Sequence, residues 1–573
     1  MPAGPGPVLW RPPARWVFPV APDQAVVNAL AAELLLPPHI TRLLVARGFD
    51  TADTAKRYLR PRLDQLHPGL SMRGLDRAVE RLAAAIRAGE TVLVHGDYDV
   101  DGMCSTALLV RTIRGLGGRA VPFIPRRLED GYDLSDAGVR AAIAAGARVV
   151  VTCDCGTTAL APVAALCTAG IDVIVTDHHV PGGDLPQCLA VLNPKVTGCG
   201  YPDTDLAAVG VAFKLAVSLA EHLGGNTNPI FGMLDLVALA TIADVAPLRG
   251  ENRVFARYGL RLLAESRNPG IRALIRSSGL AGKPITAGRI GFILAPRLNA
   301  IGRLGHAIRG VELLLTDDDH EALSIARDLE ELNRRRQDMD REILDEAREM
   351  LAAPEYADAF GIVLAREGWH PGVIGIVASR VVEETGRPTL LIAVNGAEGK
   401  GSGRSIPIFD LHRALAGCRD LMTRFGGHRA AAGVTIATEK IPDLARCFDA
   451  AARAALRPED LAPDVRIDLE IQIGDANAEL ETLLRHFEPH GLGNPGPVLL
   501  ARGVRLNRSP RIVGENGLKL FIATPKGEIE AIGWSMAHRL PEVRDPLDIA
   551  FRLEREEWNG SSKLVAKLVD FRS

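Results

Sequence analysis

This sequence predicts an α/β protein: a buried parallel sheet, a long connecting helix, a second α/β domain and a small C-terminal β-barrel. Three observations predict it. Short apolar runs at Thr91–His95, Ala120–Ile124, Val149–Thr152 and Val173–Thr176 alternate with helical segments at Ser105–Leu116, Ser135–Ala145 and Thr158–Ala169. Strand–helix alternation of this kind, with runs apolar throughout, is the pattern of parallel strands covered on both faces. Residues 317–352 are charged and periodic, with Leu323, Ala326, Leu329, Leu332, Met339, Ile343 and Ala347 at three- and four-residue spacings. Beyond the Pro/Asp-rich stretch Arg457–Asp464, the pattern becomes mostly β.

A chain of 573 residues is too long for one core; domains run ~100–200 residues, so about three or four are expected. Residues 1–72 read as an appendage, Pro-rich and then helical around Asp23–Leu36 and His39–Arg47. The parallel-sheet domain is expected over 73–265 and includes a helix at Met233–Ala243. A helical connector is expected over 266–352 and contains the long helix, whole or with one break. Over 353–460, strands at Gly361–Ala365 and Thr389–Ala393 and helices at Gly372–Val382 and Leu411–Phe425 make the second α/β domain. Over 461–573, Val498–Leu506, Lys519–Ala523, Glu528–Gly533, Leu547–Glu554 and Lys563–Val569 read as strands, and Leu480–Phe487 as a helix. A small Greek-key barrel fits that spacing.

Composition narrows the class. Apolar residues make up 47% and charged residues 24%, as in an ordinary globular protein. Lys and Arg number 67 against 70 Asp and Glu, and a net charge of -3 leaves nucleic acid open, because a basic groove can sit on a neutral protein. No apolar run is long enough to span a membrane, and the proline-broken start MPAGPGPVLWRPPARW has no signal-peptide core. A cytoplasmic protein without a membrane partner is expected. The eight cysteines include no Cys-x-x-Cys pair, so reduced, mostly buried thiols are expected and zinc is disfavoured.

The chemistry lies where strands end. Thr91–Val94 runs into His95-Gly96-Asp97-Tyr98-Asp99-Val100-Asp101-Gly102, Val149–Thr152 into Cys153-Asp154, and Val173–Thr176 into Asp177-His178-His179. In an open parallel sheet the carboxyl ends of the strands share one edge, where ligands bind, so three distant segments deliver acids and imidazoles to one place. Each alone has an ordinary reading: a solvated turn for Asp97-x-Asp99, a helix N-cap for Asp154, a surface pair for His178 and His179. Together those readings fail, because clustered carboxylates repel unless protons or cations intervene. The Gly after the third Asp rules out a twelve-residue EF-hand loop. Oxygen ligands mixed with imidazole suit Mn²⁺, with Mg²⁺ also accommodated. The surplus of ligands suits two ions about 3.5–4 Å apart, the arrangement used for phosphoryl-ester hydrolysis. A Rossmann-type dinucleotide site is excluded, since acids stand where a Gly-x-Gly-x-x-Gly turn would be needed.

The segments VLVHGDYDVDGMCSTALL, VVVTCDCGTT, VIVTDHH and LATIADVAPL resemble the successive motifs of the DHH phosphoesterase family, named for the triplet at Asp177-His178-His179. GSGRSIPIFDL and FGGHRAAAGV resemble the companion DHHA1 domain. FEPHGLGNPGPVL and the β-rich tail resemble the OB-fold that ends the single-stranded-DNA exonucleases of that family. The resemblance spans roughly residues 70–573. It implies that His95, Asp99 and Asp154 hold one ion, and that Asp101, Asp154, His178 and Asp244 hold the other, with Asp154 bridging. Asp97 ligates or orients a neighbour, Asp177 orients a histidine, and His179 contacts the scissile phosphate. Asn299 and Arg303 face the substrate, Arg303 otherwise being free to pair with the acidic helix. Ser402, Arg404, Gly427 and His428 are expected in Gly-rich loops that approach phosphates. Arg126 and Arg127 are a clamp for a 5′ phosphate or simply a solvated basic pair. Tyr98 is the aromatic nearest the motif, as a stacking surface or as packing.

The activity implied is a 5′→3′ exonuclease that releases 5′-mononucleotides from single-stranded DNA in repair and recombination, using two divalent cations. Single-stranded DNA is the expected partner, with a single-strand-binding protein and a helicase beside it. The alternatives are a pyrophosphatase or short-oligonucleotide phosphodiesterase of the same superfamily, and a non-catalytic DNA-binding replication scaffold. The long β-rich tail argues against the first and the intact acid–imidazole set against the second.

Overall fold

A computed structural model describes residues 12–127, 129–558 and 561–573. The expectations placed on residues 1–11 lie outside the described residues. The chain divides into two compact units, one comprising Pro22–Asn333 with Ala478–Pro497, the other the chain up to Ala21 with Arg334–Asn477 and Val498–Ser573.

The first unit is built on a five-stranded, wholly parallel sheet. Its order is Arg119–Phe123, Thr91–Gly96, Ala147–Cys153, Asp172–Thr176, Ala190–Leu192. Successive side chains on a strand point to opposite faces, and both faces are dry. Val92, Val94, Val149, Val151 and Ile174 enter one core with helices Val100–Gly115, Ala208–His222 and Leu234–Ala243. Leu93, Val150, Val173 and Val175 enter another with helices Asp136–Ala144 and Leu160–Thr168. That is why the strands read as unbroken apolar runs. The last strand, Ala190–Leu192, was not anticipated; three residues carry too little pattern to announce themselves.

Three helices, Gln24–Leu34, Pro38–Ala46 and Ala52–Leu59, open this unit, and the segment Ala478–Pro497 folds onto it. Buried Arg253 is the clasp. It donates Nε to Tyr58 O (3.0 Å), Nη1 to Phe487 O (3.1 Å) and Nη2 to His486 O (3.2 Å) and Glu488 O (3.0 Å), with its guanidinium 4.0 Å above the Tyr58 ring. The connector helix is a single unbroken element, Asp319–Leu351. No single helix among the described residues is long and apolar enough to cross a membrane.

The second unit holds two larger sheets. One orders as Arg424–Gly427, Ala431–Ala437, Glu398–Arg404, Thr389–Asn395, Ile362–Glu367, antiparallel except for its last pair. The helix expected over Leu411–Phe425 stops at Gly417, and Arg424–Gly427 is a strand paired with Ala431–Ala437. Glycine is a poor helix former, and the ladder takes the Gly-rich end of the segment. Ser402 and Arg404 accordingly lie in a strand rather than in a loop, and Gly427 ends one. Cys418 and Cys447 form a disulfide, S–S 2.10 Å, where reduced thiols were expected; the chain fold brings residues 29 apart in sequence to Cα atoms 6.1 Å apart.

The other sheet has seven strands, ordered Leu469–Glu470, Leu499–Val504, Leu547–Trp558, Ser561–Arg572, Gly527–Gly533, Gly517–Thr524, Leu506–Val513. The single strand expected over Val498–Leu506 is two strands. Its register with Leu547–Trp558 shifts between Ala501 and Val504, and Gly503 there takes a left-handed φ of 57°, a bulge that turns the chain toward a new partner. Arg15–Val17 pairs in parallel with Asp464–Arg466 in a small separate ribbon.

Candidate metal centre

Aligned strand ends fix the first acids. His95 is in register with Thr152, and Cys153 with Thr176. Just past the strand ends Gly96, Cys153 and Thr176, each strand donates one last ladder bond. Asp97 N donates to Cys153 O (3.2 Å), Asp154 N to Thr176 O (2.9 Å) and Asp177 N to Leu192 O (3.0 Å). The backbone of all three acids is therefore clamped to a neighbouring strand. Asp154 is not a helix N-cap. It sits at a left-handed φ of 64°, and the following helix begins only at Leu160 behind Ala159.

The remaining ligands come from helix ends. Asp99 caps helix Val100–Gly115, accepting from Asp101 N (2.9 Å) and Gly102 N (3.1 Å). A Cβ at Gly102 would collide with the Asp97 backbone, so only glycine lets the two turns approach. The buried Asp101 carboxylate accepts from Ala208 N and Val209 N, each 2.8 Å, at the amino end of helix Ala208–His222, where a helix favours an anion. Asp244 closes helix Leu234–Ala243.

Ligand-capable atoms converge in three overlapping groups, each within 4.8 Å: Asp97, Asp99, Asp154; Asp101, His178, Asp244; and Asp154, His178, His179. His178 Nε2 is 3.2 Å from Asp154 Oδ1, 3.6 Å from Asp244 Oδ2 and 4.0 Å from Asp101 Oδ2. His95 lies at the same sheet edge, but these groups, drawn from the described residues, hold Asp97 with Asp99 and Asp154 where the resemblance implied His95.

The electrostatics are those of a cation site. Burial, and then the neighbouring carboxylates, push Asp97 and Asp154 well above the ordinary carboxylate range, Asp101 to about 7 and Asp244 to about 8. Burial drops His95 to about 4 and His178 to about 3. Oδ1 of Asp97 and Asp154 and Nε2 of His95 and His178 are buried without a hydrogen-bond partner. Unpaired buried polar atoms are costly, and all four are cation ligands by chemistry. The residues fit divalent ions. Asp177 is the orienting group: its Oδ1 is 2.7 Å from His179 Nδ1 and also accepts from His178 N and His179 N.

Around the cluster stands an aromatic wall of which the sequence announced Tyr98 but not Tyr132. The Tyr132 hydroxyl is 3.2 Å from the His179 ring nitrogens, the Tyr132 ring meets Tyr98 edge-on at 6.3 Å, and the Arg127 guanidinium lies 4.6 Å over Tyr98. Nothing in the pattern of a polar loop singles out one tyrosine. Arg127 faces the site, whereas Arg126 is engaged with Glu129 at 3.2 Å. Asn299 and Arg303 share helix Ala295–Leu304. Asn299 Oδ1 accepts from Val100 N (3.2 Å), so it braces the Asp99–Asp101 turn, and the Arg303 charge is felt at Tyr98. A cavity of about 750 Å³, lined by Thr112, Leu116, Met233 and Asp235, lies at the opposite ends of helices Val100–Gly115 and Leu234–Ala243 from the acids.

In the second unit the other expected residues form a patch of their own. Arg404 pairs across the sheet with Ala431, Ser402 with Gly433 and Gly427 with Ala432. Arg404 Nη1 donates to Ser402 Oγ (3.1 Å) and Gly403 O (2.7 Å), and His428 N donates to Ala431 O (2.8 Å). Gly427, at φ 140°, leaves no room for a Cβ against Ala431.

Known proteins are similar to this chain over nearly its whole length. The family described as "DHH family, N-terminal domain" matches residues 91–241, "DHHA1 domain" 358–454 and "RecJ OB domain" 467–570. The single-stranded-DNA-specific exonuclease RecJ of Bacillus subtilis is 36% identical over 96% of this chain and 70% of its own length. That of Escherichia coli is 36% identical over 92% and 95%, and that of Thermus thermophilus 36% over 98% and 79%. The crystal structure of Thermus thermophilus RecJ in complex with Mn²⁺ superposes with a TM-score of 0.84 at 33% identity, covering 98% of this chain and 80% of that one. A crystal structure of exonuclease RecJ bound to manganese gives a TM-score of 0.60 at 40% identity, covering 70% and 98%. The chain belongs to the RecJ family of single-stranded-DNA-specific exonucleases.

Proposed function

We propose that this protein is a metal-dependent exonuclease that hydrolyses single-stranded DNA from the 5′ end and releases 5′-mononucleotides. One observation carries the reading: three overlapping groups of carboxylate and imidazole ligand atoms, each within 4.8 Å, meet at one sheet edge with buried, unpartnered lone pairs. The chain around them is 36% identical to RecJ proteins over nearly its whole length.

Asp99 and Asp154, with His95 and Asp97, hold one divalent cation. Asp101, His178 and Asp244 hold the second, with Asp154 shared. Mn²⁺ fits this set and Mg²⁺ is accommodated. A bound pair supplies a nucleophile at neutral pH and neutralises charge on the phosphoryl oxygens. The chain does the rest. His179, raised to about 9 by the Asp177 carboxylate against the opposing effect of burial, presents a protonated ring toward the non-bridging phosphate oxygens. Tyr132 and Arg127 contact the terminal nucleotide, and Asn299 keeps the Asp99–Asp101 turn in shape. Arg303 contacts the strand backbone; within the second unit, Ser402, Arg404, Gly427 and His428 form a phosphate-contacting patch of their own, and the C-terminal sheet offers a DNA-holding surface.

The test uses one single-stranded oligonucleotide labelled at the 5′ end and one labelled at the 3′ end, each with Mn²⁺. Immediate release of labelled mononucleotide from the first and progressive shortening of the second are expected. A duplex should resist. No product from either strand, with chelator and manganese controls in place, rejects the reading.

A further inference from the structure

Tyr132 and Arg127 are useful to a substrate only if the stretch carrying them is held still beside Asp154 and His179. That stretch joins strand Arg119–Phe123 to helix Asp136–Ala144, and Asp133 ties it down. Asp133 Oδ1 accepts from Gly156 N (2.7 Å) and Leu134 N (2.8 Å), and Oδ2 accepts from Thr158 Oγ1 (2.7 Å). Gly156 and Thr158 follow Asp154 directly, on the loop after strand Ala147–Cys153. In the sheet, strand Thr91–Gly96 lies between those two strands. The clasp therefore bridges over the strand end from which His95 and Asp97 emerge.

The backbone shows that the carboxylate is there for these bonds. Asp133 has a φ of 77°, in the left-handed region that favours glycine. Aspartate and asparagine tolerate it because they can hydrogen-bond locally, and such strain persists only where the surroundings over-determine it. Across the clasp, Asp154 is also left-handed, at 64°. The carboxylate of one strained residue thus ties its loop to the loop that carries the other.

We propose that Asp133 is a positioning residue that locks the Tyr132 loop to the Asp154 loop and thereby sets where the terminal nucleotide lies relative to the metal-binding acids. The proposal deepens the exonuclease reading and rests on it. Asp133 touches no reacting atom; it acts through Tyr132, Arg127 and Asp154.

Three full-length variants separate positioning from stability. Asp133→Asn keeps a left-handed-tolerant residue, an Oδ1 acceptor for Gly156 N and an amide that can donate to Thr158 Oγ1, so KM and kcat should stay within about twofold of wild type. Asp133→Gly removes the strain together with the clasp. Its melting temperature should equal or exceed that of the wild type, while KM for a single-stranded oligonucleotide rises about tenfold, since small displacements of positioning groups are costly. Asp133→Ala should show the same KM rise with a lower melting temperature. An Asp133→Gly enzyme with KM and kcat within twofold of wild type overturns the proposal, and so does activity that merely tracks melting temperature across the three variants. Amide exchange supplies a second readout. Gly156 N–H should exchange faster in Asp133→Gly than in wild type, and unchanged exchange also overturns the clasp. If the wild type fails to digest DNA, the exonuclease reading falls, and the exchange comparison still decides the clasp by itself.

Discussion

Nδ1 of His179 stands 2.7 Å from Oδ1 of Asp177, and this contact separates His179 in proton affinity from its neighbour His178. Burial holds His178 neutral, lowered to about 3. Burial also opposes protonation of His179, but the Asp177 hydrogen bond and charge prevail and raise it to about 9. One imidazole is left as a lone-pair donor for a cation and the other as a cation for a phosphate.

Replacing Asp177 with Asn should return the His179 ring toward its ordinary value, which histidine NMR titration reads directly. Because the folded value lies above the unfolded 6.5, the stabilisation from this pair is full below about pH 6.5 and lost as pH rises through about 9. The variant should lose that pH-dependent part of its stability and about 10–100-fold in kcat, as orienting partners of metal-site groups do. A His179 titration left near 9 would show that another group holds the proton.

Asp154→Asn should lower kcat by about 10³-fold or more while preserving the fold, because asparagine tolerates φ 64° but is a poor metal ligand. Burial first, and then repulsion from the surrounding carboxylates, raises the Asp154 pKa. Removing one of them should therefore raise the melting temperature of the chelator-treated protein by about 2–4 °C, the shift about 1 kcal/mol produces in a domain of this size. A variant both inactive and markedly less stable would point to a structural role instead.

Metal binding should be steeply pH-dependent. In the metal-free site, Asp101 is raised to about 7 and Asp244 to about 8, by burial first and neighbouring carboxylates second. Ions must displace these protons, so Mn²⁺ affinity should climb between pH 6 and pH 8. Carboxyls with raised folded values destabilise the metal-free protein as pH rises through those values. The thermal shift on adding Mn²⁺ should therefore be larger at pH 8 than at pH 6; equal shifts would place the ions elsewhere.

Arg253→Ala should cost about 3–5 kcal/mol, because it removes a buried cation that donates to four carbonyl oxygens, of which Phe487 O keeps the Asn494 amide as a donor. Urea denaturation would read the loss. Limited proteolysis should cut first within Ala478–Pro497, the segment whose His486, Phe487 and Glu488 carbonyls the guanidinium holds. Lysine should rescue only in part, since an ammonium lacks the fork that reaches several carbonyls at once.

Much of the site was legible because strand ends in a parallel sheet are predictable from short apolar runs, and Asp99, Asp154 and His178 sit directly beyond such runs. Asp244 was legible as the residue after a helix. Asp97 was visible, but its grouping with Asp99 and Asp154 was not, because alternate residues in a turn do not reveal which of them point inward. Tyr132 and Asp133 were missed: their importance comes from contacts with His179, Gly156 and Thr158, 23 to 47 residues away. The Gly-rich stretches around Ser402 and Gly427 were misread as loops because glycine in a strand looks like turn chemistry until its partner strand is known.

By itself, the sequence determined the parallel sheet, the helical connector, whose lack of a break the structure settled, and the set of acids and imidazoles at the strand ends. Period, apolarity and chain order are local properties, and they suffice for those. Only the tertiary structure decided which lone pairs converge, which histidine Asp177 faces, that Cys418 meets Cys447, and that Asp133 reaches across a strand end to Gly156. Those outcomes depend on distances of a few ångströms between residues far apart in the chain, and on how much water their packing leaves around each charge.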